Sequence, residues 1–329
     1  MQKGVYNCDI KTKANRKGSK ERGNKMKKII SLILTAAMLC AAVFALGSCG
    51  GDNLSAAYDK IVAQYEFDDS KCEKTLTVAM SPDFAPMEFV DLAKKGNDQY
   101  VGFDVILAKY LAKELNMKLV IDPMSFDACM AAVSTGQADL AISGFSWTAA
   151  RAETFLISDY YIAGENESDQ ILISLADDKA TFTADKADFT GLKIGAQGGS
   201  LQELLVSEQL VTKGATMELY KDLNTAVEAL KTGEIDALAV AKGNGEAFAA
   251  SSDNVVLTDY YFEVEEKYKN NVILLNKNDA DLLADVNAAL DKAMKADVYN
   301  TWYEACQIYA EVKTADQLGY DDEGNKITE

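Results

Sequence analysis

Histidine is absent from all 329 residues. That removes imidazole as a general acid or base, as the relay in Ser-His-Asp or Cys-His nucleophiles, and as a metal ligand. Cysteine is sparse, six in the whole chain, and no Cys-x-x-Cys pair occurs, so a structural zinc site is not expected. No organic cofactor is implied either. Cys8 and Cys40 fall in a basic leader and Cys49 at its end, leaving Cys72, Cys129 and Cys306 beyond it. Three thiols cannot close a full disulfide framework, so isolated buried thiols are the default, with a bridge between any pair left open. Arginine is the third scarcity. After Cys49 the chain carries 22 lysines and a single arginine, Arg151.

The leader is the one basic region. Residues 1–28 hold ten Lys or Arg against two acids, and a 19-residue stretch without charge, Ile29 to Gly47, follows. That stretch is barely long enough to span a bilayer, which leaves an uncleaved anchor possible. Met26-Lys27-Lys28, the apolar run and the small residues after it have the three parts of a secretion signal. Leu46-Gly47-Ser48-Cys49 resembles a bacterial lipobox, whose Cys receives diacylglycerol and becomes the new N-terminus. On that reading 1–48 is leader and signal peptide, Cys49 is lipidated, and the protein is extracytoplasmic and held at the cell membrane by its lipid. Residues 1–25 look dispensable, with Met26 a second candidate start. The leader's excess of eight positive charges, set against −18 for the whole chain, leaves about −26 on the rest. A body this acidic excludes nucleic-acid binding by phosphate neutralisation. It suits a solvated protein whose copies repel one another, and a monomer is expected.

Some 280 residues follow Cys49, enough for two lobes. Residues 49–73 are polar and acidic and read as a tether, with a short helix at 54–65. Strand and helix patterns then alternate: strands at 75–80, 118–122 and 139–142, helices at 104–115 and 126–134. After Gly164 the rhythm restarts with strands at 193–196, 216–220 and 237–240 and helices from 201 and over 223–231. Strands near 171–176 and 271–275 and helices near 279–295 and 299–309 complete the pattern. Such alternation predicts an α/β fold of two lobes, each a mostly parallel sheet flanked by helices, with two hinge crossings. The boundaries read as 74–170 for the first part of lobe 1, 171–276 for lobe 2, 277–312 for the return to lobe 1, and 313–329 for a polar, mobile tail.

Ligands of such sheets sit at the carboxyl ends of the strands, often between domains. Arg151 follows one strand end. A guanidinium grips a carboxylate with two parallel hydrogen bonds where lysine offers only a point charge. A carboxylate clamp and a surface ion pair both fit that segment. Gln197-Gly198-Gly199-Ser200 follows a strand end in the other unit, where helix N–H groups can meet an anion, although Gly-Gly is commonly only a turn.

From about Thr75 to Ala305 the chain resembles an extracytoplasmic solute-binding protein of an ABC importer, in the polar amino-acid-binding group. The stretches that carry the resemblance are Leu76 to Phe89, Val101-Gly-Phe-Asp-Val-Ile-Leu-Ala108, Gly136 through Leu140 to Arg151, and Phe155 to Tyr161. It implies a small carboxylated solute, an amino acid or derivative, caught by lobe closure, with a membrane permease as partner. It implies that Arg151 takes the ligand's α-carboxylate, and that Ser146 and the Gly144 backbone contact the same carboxylate or the amino group. Ser200 would be the second lobe's contact, and Phe84 and Phe126 aromatic walls. Read without the family, Ser146 is equally a turn cap, Ser200 a helix N-cap, and the two phenylalanines core.

Two departures stand out. Ile106 replaces an acid after Gly-Phe-Asp-Val, at a position expected to pack at the helix start. Ala241 stands where the family usually has the Asp that pairs with the ligand's α-ammonium. Asp83 and Glu263 are then candidate substitutes, and Lys242 a candidate partner for a second acid group on the ligand. No covalent chemistry is implied. The rival is a dehydratase-like enzyme on the same scaffold, with Glu88, Asp83 or Glu263 as acid or base; a binding protein for a non-amino organic acid is the other alternative.

Overall fold

A computed structural model of the chain describes residues 55–161, 167–313, 315–318, 320–321 and 323–327. Residues 1–54, which hold the expected leader, the lipobox-like stretch and Cys49, lie outside the described residues. Two five-stranded sheets organise the rest, with β1 Thr75–Met80, β2 Phe89–Val90, β3 Tyr100–Val101, β4 Lys118–Pro123, β5 Leu140–Ala141 and β6 Leu156–Ile157 in the first part of the chain. The second part holds β7 Gln170–Leu175, β8 Lys193–Gln197, β9 Thr216–Tyr220, β10 Ala237–Ala241, β11 Val255–Tyr261 and β12 Leu274–Leu275. The first sheet runs β4-β1-β5-β12-β6 and the second β11-β7-β10-β8-β9. β4, β1 and β5 are parallel, as are β10, β8 and β9. Strands that adjoin the crossings, β12 and β7, pair antiparallel, because the chain enters each sheet from the opposite lobe.

Both faces of both sheets are covered. In lobe 1, helices α1 Ala56–Tyr65, α2 Phe103–Glu114, α8 Ala280–Lys295 and α9 Tyr299–Tyr309 build one core with β1, and α3 Phe126–Thr135 builds the other with Phe145 and Phe155. In lobe 2, α5 Leu201–Gln209 covers one face, and α6 Leu223–Lys231 with Phe248 of α7 Lys242–Ala250 covers the other. The central strand β10, Ala-Leu-Ala-Val-Ala, is buried throughout, whereas the edge strand β9 is mostly exposed.

The chain passes between the sheets twice, and the described ends of the two passages are paired. Tyr161 and Asn271 exchange backbone hydrogen bonds at 3.0 and 3.3 Å on the lobe 1 side, and Phe262 N–H donates to Gln170 O at 2.9 Å on the other.

Three boundary expectations are corrected. The strand expected at 271–275 belongs to lobe 1, since Leu274 and Leu275 pair with Ala141 and Leu140. The stretch read as a tether contributes α1, whose Ala57, Tyr58 and Ile61 join the lobe 1 core and whose Tyr58 hydroxyl accepts from Gly102 N–H at 3.2 Å. The tail read as mobile docks on it: Tyr320 is 4% exposed, and a Cβ on Gly324 would meet the Ala57 backbone N at 2.4 Å. Polarity signalled solvation in both segments, but a few small and aromatic residues at the right spacing suffice to pin them. Cys72, Cys129 and Cys306 are all free thiols. Among the described residues no helix is long and apolar enough to cross a membrane.

Candidate functional site

The six residues to which the resemblance gives ligand contacts line one cleft between the lobes: Phe84, Phe126, Gly144, Ser146, Arg151 and Ser200. The cleft is narrow, since the lobes lie against each other across it, and the atom-free space of about 550 Å³ that these residues bound includes open solvent at its mouth.

Arg151 is placed by a short helix, α4 Ala149–Thr154, whose N-cap Thr148 accepts the Arg151 N–H at 3.2 Å. Its side chain is 5% exposed. One guanidinium nitrogen, Nη1, donates to Ser146 O at 2.5 Å, and Nη2 donates to Gly199 O of the facing lobe at 2.7 Å. The planar group lies over two rings, its Cζ 5.6 Å from the Phe126 centroid and 5.1 Å from that of Phe145. Burial lowers its pKa to about 10, so it keeps its charge at neutral pH. Among the described residues it has no carboxylate partner within ion-pair distance. Phe126 therefore has two duties, a cleft wall and a platform for the cation. Phe145 shares the second duty and was not singled out, because a Phe in an apolar run reads as core.

Gly144 sits at φ +56°, and a Cβ there would lie 2.8 Å from the Phe84 ring. The turn is fixed by Asp104, whose Oδ2 accepts from Gly144 N–H at 2.8 Å and from the Tyr161 hydroxyl at 3.1 Å. The Asp of the Gly-Phe-Asp segment thus acts through the turn it holds. Phe84 is half-buried and packs on the cores of both lobes. Ser200 caps α5: its Oγ accepts from Glu203 N–H at 3.2 Å and donates to Gln197 O at 2.7 Å. What faces the cleft from this element is the first turn of the helix, Leu201 and Gln202 included.

The proposed substitutes for the acid missing at Ala241 separate clearly. Ala241 does line the cleft. Glu263 does not; it is exposed, with its backbone paired to the Gln209 side chain. Lys242 is outside the lining and pairs with Glu246 at 3.9 Å. Asp83 lines the cleft, but its oxygens are engaged. Oδ1 accepts from Ser81 at 2.8 Å; Oδ2 accepts from Gln197 Nε2 at 3.0 Å and from Leu223 N–H at 2.7 Å, both in the facing lobe. It ties lobe 1 to the N-terminus of α6. Burial raises its pKa to about 6.

Two further carboxyls line the cleft. Glu88 is fully buried; its Oε1 accepts from the Ser143 hydroxyl, and its carboxyl shares a hydrogen bond with that of Asp104. Burial and then the Asp104 charge raise its pKa well above the ordinary range. Glu167, at the crossing, is the residue that sequence reasoning missed. It belongs to no motif, and only folding brings it beside Ala241. Among the described residues no cluster of acids and thiols forms a metal site.

Residues 76–305 match the bacterial extracellular solute-binding proteins, family 3, and the chain belongs to that family. It is 28% identical over 227 residues to a probable histidine-binding protein of Campylobacter jejuni, covering 69% of this chain and 82% of that one. It is also 28% identical over 230 residues to the arginine-binding extracellular protein ArtP of Bacillus subtilis, covering 70% and 79%. Among solved structures it resembles the amino acid ABC transporter substrate-binding protein AbpA of Streptococcus pneumoniae bound to L-arginine. That match has a TM-score of 0.65 and 29% identity, and covers 75% of this chain and all of that one. These relatives are named as binding proteins; a more distant structural neighbour, at TM-score 0.58, is an ancestral amino acid-binding protein described as a precursor of cyclohexadienyl dehydratase.

Proposed function

We propose that this chain is the solute receptor of an ABC importer, and that it captures an amino acid with a basic side chain between its lobes. Arg151 carries the reading. A buried guanidinium in a cleft, seated on two rings and with no carboxylate partner among the described residues, is a site for an anion from outside. Ser146, Gly144 and the first turn of α5 flank it, and Phe84 and Phe126 are the walls for the ligand's carbon skeleton. The basic class follows from the rest of the lining. It carries three acids, Asp83, Glu88 and Glu167, against the one cation Arg151, which favours a ligand carrying positive charge. The histidine- and arginine-binding names of the relatives support the same class.

Closure turns on the paired crossings and presents both lobes to the permease. The receptor acts as a monomer held to the membrane through a lipidated Cys49, and it transforms nothing: its bound solute is recovered unchanged. A thermal-shift panel of amino acids, organic acids and amines tests the reading. L-Arginine, L-lysine or L-histidine should raise the melting temperature most, by binding only the folded state. A rise with non-amino organic acids alone would sink the assigned ligand class.

A further inference from the structure

Ala241 ends β10 with a methyl group, yet the structure sets a carboxylate beside that strand end by another route. Ala241 pairs in register with Gln170, and Lys242 N–H donates to Asp169 O at 2.8 Å, so the segment entering β7 runs against the end of β10. Glu167 lies three residues before Gln170 and is anchored by it, Gln170 Nε2 donating to Glu167 O at 3.0 Å. Its side chain turns towards α9, where the Tyr303 hydroxyl donates to Oε1 at 2.6 Å. The first turn of α7 makes way for it: a Cβ on Gly243 would fall 2.0 Å from Glu167 Oε1 and 2.6 Å from the Tyr303 oxygen. Oε2 is left without a partner, on a residue 8% exposed that lines the cleft.

We infer that Glu167 is a ligand-binding residue, whose Oε2 receives the α-ammonium of the bound amino acid, in a pocket opened by Gly243 and braced by Tyr303. This rests on the reading of the cleft as an amino-acid site. A carboxylate held by one hydrogen bond in a buried wall is short of positive charge, and an ammonium entering the cleft needs an anion that replaces its hydration. The ligand then meets opposite charges from different parts of the fold: Arg151 on its carboxylate, and Glu167, from the crossing itself, on its amino group. Because Glu167 sits where the chain passes between the lobes, its engagement ties ligand capture to the crossing.

The test compares wild type with Glu167→Gln in the full chain by calorimetry. The probes are L-arginine, L-lysine and L-histidine, each with its deaminated counterpart, which keeps the side chain and carboxylate but lacks the α-amino group. The expected result is a loss of roughly ten- to a hundredfold for the amino acid and little change for the counterpart. Equal loss on both, or no loss on either, overturns the assignment. Gly243→Ala supplies a second variant, since it displaces the carboxylate without changing its charge and should show the same selective loss. It also decides the matter if Glu167→Gln does not fold. A wild type that binds amino acids while Glu167→Gln binds them equally well rejects this inference alone. A wild type that binds none of the three rejects the amino-acid reading and this inference with it.

Discussion

Four carboxyls lie in or beside the cleft, Glu88, Asp104 and Glu167 buried and Asp83 part-buried, and none is paired with a lysine or arginine among the described residues. Burial is the main cause in each case, raising Asp83 to about 6, Asp104 to about 7 and Glu167 to about 8, with Glu88 raised in the same direction. Around Glu167 the Tyr303 hydroxyl opposes the shift, and the charges of Glu246 and Asp104 add to it. A carboxyl whose folded pKa exceeds its unfolded value near 4 contributes stability that is whole below that value and is lost as pH rises through the folded one. The ligand-free protein should therefore melt at a lower temperature at pH 8.5 than at pH 5. A basic ligand should raise the melting temperature more at the higher pH, where it meets ionised carboxylates. A melting temperature flat or rising across that window would show that these groups are not buried uncompensated. At this scale the sequence disclosed what motifs carry, Arg151 and its neighbours. It hid Glu167, whose place depends on the pairing of β7 with β10, and Phe145, whose contact with a cation is invisible in an apolar run.

Elements were most legible where one periodicity ran unbroken. β1, β9, α6 and α9 lie where strand alternation and helical spacing put them. α7 escaped notice because Gly243 and Gly245 sit inside it, and glycine in a helix interior reads as a break. Both glycines answer to packing: a Cβ on Gly245 would lie 3.0 Å from Ile173 Cγ2, and one on Gly243 would strike Glu167. β5 and β12 lie inside the strands expected at 139–142 and 271–275 but keep only two residues each, and β6, as short, has no pattern of its own and is held by its pairing with β12. The leader is the element whose chemistry is read from sequence only. If Leu46-Gly47-Ser48-Cys49 is a lipobox, Cys49→Ala should abolish lipid labelling and impair signal removal; unchanged labelling would rule Cys49 out. Stable attachment follows from more than one acyl chain, since a single chain binds only marginally.

At the scale of the whole molecule, the lobes already touch across the cleft. Arg151 reaches Gly199 O, Asp83 bridges to Gln197 and Leu223, and Asn244 donates to Ala85 O at 3.1 Å. These are polar contacts between two separately covered sheets, and Phe84, which packs on the cores of both lobes, is the apolar contact beside them. The central claim is that closure takes place on a carboxylate held by Arg151. Losing one partner of a buried, hydrogen-bonded charge pair typically costs about 2–5 kcal/mol, which is roughly thirtyfold to several thousandfold in affinity. The most direct measurement is calorimetry of Arg151→Ala and Arg151→Lys against the amino acid that wild type binds best, with melting curves to establish that both variants fold. The account predicts a loss in that range for the alanine variant and a clear loss for lysine, which keeps the charge but not the fork. A folded Arg151→Ala that binds with wild-type affinity would contradict it.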